Sequence, residues 1–250
     1  MTRQRSPRDH AIHDDEAADD RRFVTALARG LAVLRCFQPQ DRWLAHQELS
    51  RRTGLPQATV SRLTFTLTAL GYLRHRGPRG EYALAPGVLA LGFSMLSNFD
   101  IGRIARPHMQ ALADHAQAAV SLGVRHGLNM IYVAHCRSTA RLILGLDVGA
   151  RLPLASTAMG RSLLVALAPA ERQRLVAQLQ TAEAERWPQL ADGLARAAQQ
   201  FDARGFVTSE REWESEITAV GAPVQLAAGR EPLGLTVGGA SVPLPGPWLH

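Results

Sequence analysis

From Thr25 onward, Leu27, Leu31 and Leu34 recur at three- and four-residue steps with Gly30 and Phe37 on the same side. This predicts a helix capped by Thr25 and ended by Pro39. A second short helix is expected over about Ala45 to Thr53. It buries Leu49, opens at Ala45 without a capping side chain, and stops at Gly54, the residue type best able to take a left-handed cap. A third is expected with Pro56 in its first turn, Val60, Leu63, Leu67 and Leu70 repeating at three- and four-residue steps, and Gly71 closing it. Tyr72 to Arg74 and Glu81 to Leu84 are strand-like runs flanking a turn-forming, Arg-bearing segment over 75–80, which predicts a hairpin, and Phe65 is expected to pack on it. Three helices with a tight glycine turn and a hairpin are the parts of a winged helix-turn-helix.

Val88 to Ser97, after Pro86, is apolar and carries no charge. A buried connector helix is therefore expected, packed on its own chain or contributing to a dimer contact. The remainder alternates. Helices are expected over 102–118, 157–168, 170–179 and 189–204, and strands over 120–124, 130–134, 141–146, 206–208, 220–226 and 233–237. That makes an α+β domain on a largely antiparallel sheet. Residues 1–22 mix Arg and Asp without an apolar period and read as a disordered arm. The expected organisation is 1–22 arm, 23–85 winged helix-turn-helix, 86–99 linker helix and 100–250 second domain.

Charge sharpens this picture. The chain of 250 residues has a formal net charge of +6 and no lysine. Residues 23–99 hold nine Arg against three Asp or Glu, so the excess sits in the helix-turn-helix segment. Every basic group is a planar guanidinium suited to phosphate or guanine. No apolar run approaches the roughly 18 residues that cross a bilayer, and the first residues lack a secretory leader's apolar middle, so a cytoplasmic protein away from membranes is expected. Cys36 and Cys136 are too few for a disulfide framework and read as buried small hydrophobes.

Particular residues resemble the IclR family of bacterial transcription regulators over nearly the whole chain. In the first part the resemblance rests on residues 26–34, on Glu48 to Pro56, and on Thr59-Val60-Ser61-Arg62-Leu63 leading to Leu70-Gly71-Tyr72. In the second it rests on Ala105-Arg106-Pro107, on Leu152 to Arg161, and on Gly205, Ser209, Glu212, Ala219, Val220, Gly221 and Val224. Gln225 and Leu226 depart from the family pattern. The resemblance implies an N-terminal DNA reader and a C-terminal small-molecule sensor related to GAF domains, acting as a homodimer or homotetramer. IclR-like chains continue into a closing helix, whereas Pro243, Pro245 and Pro247 forbid one over 241–250, so one side of the sheet is expected to lack its cover.

The non-core positions at the start of the third helix are Gln57, Ala58, Thr59, Ser61 and Arg62, which should enter the major groove. Arg62 reads guanine or binds phosphate, Gln57 can read adenine, and Thr59 and Ser61 bind phosphate or cap the helix. Arg51, Arg52, Arg74, Arg76 and Arg79 should meet the phosphate backbone of double-stranded operator DNA. In the sensor, small residues opening a helix at Ser156, Thr157, Ala158, Met159 and Gly160 suit a carboxylate effector, with helix capping the alternative for Ser156 and Thr157. Glu212, Ser215 and Ala219 are expected to face the same cavity, a solvated strand edge being the alternative for the glutamates of this segment. His126, His135 and Cys136 read as hairpin residues rather than a metal site, because His135 and Cys136 are consecutive and point to opposite faces. No nucleophile elbow, zinc-protease motif, phosphate loop or dinucleotide fingerprint is present, so neither catalytic residues nor a cofactor are assigned.

Overall fold

A computed structural model describes residues 20–77, 80–138, 145–227 and 229–240, which fall into two compact units, the first ending at Asn98 and the second beginning at Phe99. The disordered-arm reading over 1–19, the wing tip at Arg79, most of the strand expected over 141–146 and the Pro-rich stretch 241–250 lie outside the described residues.

The first unit has helices α1 (Thr25–Arg35), α2 (His46–Thr53), α3 (Gln57–Ala69) and α4 (Pro86–Ser97), with strands β1 (Leu44–Ala45), β2 (Leu73–Arg76) and β3 (Glu81–Leu84) in the order β1-β3-β2. Thr25 is the first helical residue rather than the cap, which is Val24 with no side-chain bond. The buried face of α1 also differs from the leucine stripe. Gly30 and Val33 are buried while Leu27 and Leu31 are 62% and 39% exposed. Gly30 faces α3, where a methyl in its place would lie 3.9 Å from Leu63, so the small face is the one that approaches its neighbour. Cys36, Leu44, Leu49 and Val60 form the core. Within it the Cys36 thiol is pushed up to about 12 by burial, in keeping with its reading as a small hydrophobe.

Gly54 takes the left-handed cap with φ 69°. The weak start of α2 is anchored by the unforeseen strand β1, which pairs Leu44 with Tyr82, and by the His46 N–H donating to Gly80 O at 3.0 Å. The wing therefore caps the helix that the sequence leaves uncapped. Phe65 is 76% exposed, not packed on the wing. Helix α4 corrects a second expectation: none of its residues is buried, and Leu89, Leu91, Phe93 and Met95 are exposed.

The second unit holds helices α5 (Asp100–Ala116), α6 (Ala158–Ala166), α7 (Pro169–Ala182) and α8 (Trp187–Arg204). Its six strands are β4 (Ala119–His126), β5 (Asn129–Cys136), β6 (Arg151–Pro153), β7 (Val207–Glu210), β8 (Ile217–Val224) and β9 (Leu233–Ala240). They form one antiparallel sheet in the order β6-β5-β4-β9-β8-β7, as the α+β reading requires, with β6 an unforeseen edge. The α6 side carries the main core, in which Met130, Leu154, Met159, Leu163 and Leu164 pack against Leu175, Leu179 and Leu190. Glycines let α6 lie close on the sheet. A methyl at Gly221 would stand 2.3 Å from Ala158 O, and one at Gly123 2.4 Å from Met159 Sδ.

Candidate functional site

In the first unit the start of α3 is a polar surface carrying no acidic residue in its first turn. Val60 and Thr64 point inward, Thr64 Oγ1 donating to Val60 O at 2.9 Å, while Gln57, Ser61 and Arg62 are exposed and Thr59 is half-buried. Arg62 makes no ion pair among the described residues, so its fork is available. Arg52 is a different case. It pairs with Asp41, donates to Glu48 Oε1 at 2.6 Å and to Cys36 O at 3.1 Å, and is largely buried. Its guanidinium holds the unit together, and a free phosphate contact is not what its geometry offers. Arg51 is exposed but bonded to Glu48 at 2.6 Å, and these hydrogen bonds, Arg51 first, draw the Glu48 carboxyl down to about 2 against the opposing effect of burial.

Sequence reasoning missed the support of the wing. Arg74 and Arg76, two residues apart and so on one face of β2, lie over the Trp43 ring at 5.5 and 4.2 Å, and Arg76 also bonds Glu81 at 3.1 Å. A tryptophan just before β1 was the available signal.

The second unit contains a pocket of about 540 Å³ counted out to its open mouth, between the start of α6 and the sheet. Thr157, Ala158, Met159 and Ala219 line it as expected. Thr157 both lines and caps, since its Oγ1 accepts from the Gly160 N–H at 3.1 Å and donates to Pro153 O at 2.8 Å. Four expected residues stand elsewhere. Gly160 packs on the backbone of Leu154, with no room for a methyl. Ser156 is buried outside the lining, its carbonyl accepting from Ser209 Oγ at 3.1 Å. Ser215 is exposed, and Glu212 is paired with Arg161 at 2.8 Å and Arg196 at 3.0 Å.

The lining adds residues the sequence did not assign, among them Ser121, Tyr132, His135, Ser209, Trp213 and Thr236. Tyr132 and His135 are three apart and would face opposite ways on a regular strand. They share the cavity because β5 bulges. Ser121 pairs with His135 and Gly123 with Tyr132, so Val133 has no partner and the alternation resets. Cys136 does point the other way, its Sγ 3.8 Å from Arg106 O of α5. His135 is held below its ordinary value by burial, then by the Arg137 charge, with Asp147 opposing. No Asp, Glu or Arg appears among the described lining residues. A ligand here meets the stacked Tyr132 and His135 rings, several hydroxyls and the start of a helix.

Both units match known family models. Residues 26–77 match the IclR helix-turn-helix domain, and residues 93–244 match the bacterial transcriptional regulator IclR C-terminal domain. The HTH-type transcriptional regulator TsaQ1/TsaQ2 of Comamonas testosteroni is 35% identical over 214 residues, covering 85% of this chain and 74% of that protein. The crystal structure of an IclR family transcriptional regulator from Brucella abortus is similar with a TM-score of 0.82 at 41% identity, over 94% of this chain and 89% of that one. An IclR homologue from Microbacterium hydrocarbonoxydans, crystallised with 4-hydroxybenzoate, shares the fold at 22% identity with a TM-score of 0.64, over 87% and 90% of the two chains.

Proposed function

As the chain belongs to the IclR family of bacterial transcriptional regulators, we propose that it is a cytoplasmic repressor or activator that binds operator DNA as a homodimer or homotetramer and responds to a small organic acid. Residues 23–85 are its reading head, 86–99 its linker and 100–250 its effector domain. The observation that carries the DNA half is the exposed, acid-free start of α3, where Gln57 and Arg62 present two bidentate readers and Thr59 and Ser61 two smaller polar groups. Arg74, Arg76 and Arg79 of the wing, with Arg51, meet the phosphate backbone.

Apolar surface supports the dimer. Leu89 and Phe93 of α4 are 73% and 67% exposed, and Leu27 of α1 is 62% exposed. Burying each such side chain against a second copy is worth about 1.5–3 kcal/mol. The cavity lined by Thr157, Ala158, Met159 and Ala219 is the effector site, and the positive end of the α6 dipole beside it favours a carboxylate. The 4-hydroxybenzoate bound by a relative of the same fold fits that chemistry. The effector binds one of two dimer geometries better than the other and so changes the spacing of the heads.

The test is selection of a duplex from a random pool, followed by DNA titrations with and without those members of a carboxylate library that raise the melting temperature. A stabilising acid that changes DNA affinity is expected. A protein that selects no sequence, or whose DNA affinity no stabilising acid alters, contradicts the reading.

A further inference from the structure

Three hydroxyls of the cavity have already committed their protons. Thr157 Oγ1 donates to Pro153 O at 2.8 Å, Ser209 Oγ to Ser156 O at 3.1 Å, and Thr236 Oγ1 to Val220 O at 3.0 Å. What they offer a ligand is lone pairs. The group on β4 and β5 is built differently. His135 Nδ1 lies 2.8 Å from Ser121 Oγ, and its Nε2 lies 3.1 Å from Arg137 Nε. Arg137 is in turn fixed by Leu146 O and Asp147 Oδ2, both at 3.0 Å.

An arginine Nε–H can only donate. The His135 Nε2 must therefore accept, which places the proton of the neutral ring on Nδ1, and Nδ1–H donates to Ser121 Oγ. Tyr132 lines the cavity beside Ser121. Accepting from the imidazole leaves the Ser121 O–H proton for the cavity, next to the Tyr132 O–H. With the opposite tautomer, Ser121 would donate to the imidazole and its proton would be lost to the cavity.

We propose that Arg137 fixes the direction of this hydrogen-bond chain and so frees the Ser121 O–H, which with Tyr132 makes the donor group of the cavity, selecting a ligand that places an acceptor oxygen there. The acceptor-only Ser209 and Thr236 favour a hydroxyl elsewhere on the same molecule, so among the organic acids proposed above the class selected is a hydroxylated one. Arg137 is a positioning residue, acting through His135. The ligand class rests on the reading of this cavity as the effector site; the direction of the chain does not.

Two-bond proton–nitrogen spectra of the full chain labelled with 15N-histidine test the direction without any ligand. At pH 7.5 the signal lost in His135→Gln is expected as the Nδ1–H tautomer, shifting toward Nε2–H in Arg137→Met and remaining Nδ1–H in Arg137→Lys, which restores a donor. An Nε2–H ring in the wild type overturns the proposal. Thermal shifts with matched acids, alcohols and amines, beginning with 4-hydroxybenzoate, benzoate and 4-hydroxybenzylamine, test the ligand class. Stabilising members are expected to be acids, with binding weakened about tenfold by Tyr132→Phe combined with Ser121→Ala, the value of one lost hydrogen bond to a charged group. Stabilisation by amines, or by acids that the double variant binds equally well, overturns the selection. A library with no stabilising member counts against the effector site, and the tautomer alone then decides the direction.

Discussion

The Arg161 guanidinium, 1% exposed, passes Gly193 and donates through Nη2 to Glu212 Oε2 at 2.8 Å, while its Nε donates to Ala155 O at 2.8 Å. This link ties α6, whose first turn lines the cavity, to the segment after β7 from which Trp213 enters it. Burial pushes the Glu212 carboxyl up, but hydrogen bonds and charge from Arg161 and Arg196 outweigh it and hold the group below the usual carboxylate range.

Glu212→Gln should therefore cost about 1.5 kcal/mol near neutral pH, the lower end of the range for a hydrogen bond to a charge because Glu212 is partly in water. A depressed carboxylate contributes stability that is complete above its unfolded value and lost as pH falls through the folded one. In urea titrations the gap between wild type and variant should be full at pH 7 and shrink below about pH 4.5. A gap that widens on acidification contradicts the pairing.

Gly193→Ala inverts a familiar sign. In an exposed helix interior the change gains up to about 1 kcal/mol, but here the added methyl would stand 2.1 Å from Arg161 Nη2. Moving the guanidinium breaks its bond to Glu212, so a net loss of about 1–3 kcal/mol is expected in thermal melts. A stabilised variant would show that Arg161 has room to move.

Arg52 and Arg62 should separate by assay. Arg52→Ala removes the partner of Asp41 and Glu48 and should lower the stability of the first unit by about 2–3 kcal/mol. An unchanged melting temperature with a salt slope smaller by one phosphate contact would instead return Arg52 to the DNA backbone.

Leu89→Asp with Phe93→Asp places two charges on the exposed side of α4. Sedimentation should show the wild type associated and the variant monomeric with its circular dichroism intact. Equal association of both would move the dimer contact elsewhere.

Much of the first unit was legible because short-range rules decide it. Gly54, Pro56 and Gly71 sit where caps and turns need them, and Val60 lies on the inward face of α3. The inner face of α1 was not legible. Leu27, Leu31, Gly30 and Val33 are all apolar, and only the close approach of α3 picks the Gly30 side. Strand β1 is two residues long and exists only by pairing with β3. In the second unit the expected helices and most strands followed their periods, β6 being unforeseen and the strand over 141–146 lying mostly outside the described residues, and Thr157, Ala158, Met159 and Ala219 were found at the cavity. Tyr132 and His135 were not, because the bulge at Val133 breaks the alternation any strand reading assumes. Glu212 and Arg161 are 51 residues apart, a partnership visible only once α6, α8 and β7 are packed.

The most direct measurement is fluorescence anisotropy of a duplex selected by the wild-type chain, titrated with wild type and Arg62→Ala across a salt series. The variant should keep the wild-type melting temperature, bind the selected duplex about 1–3 kcal/mol more weakly, and lose discrimination at a single base position, as expected for a bidentate contact. Undiminished affinity and unchanged sequence preference in Arg62→Ala would contradict α3 as the reading helix.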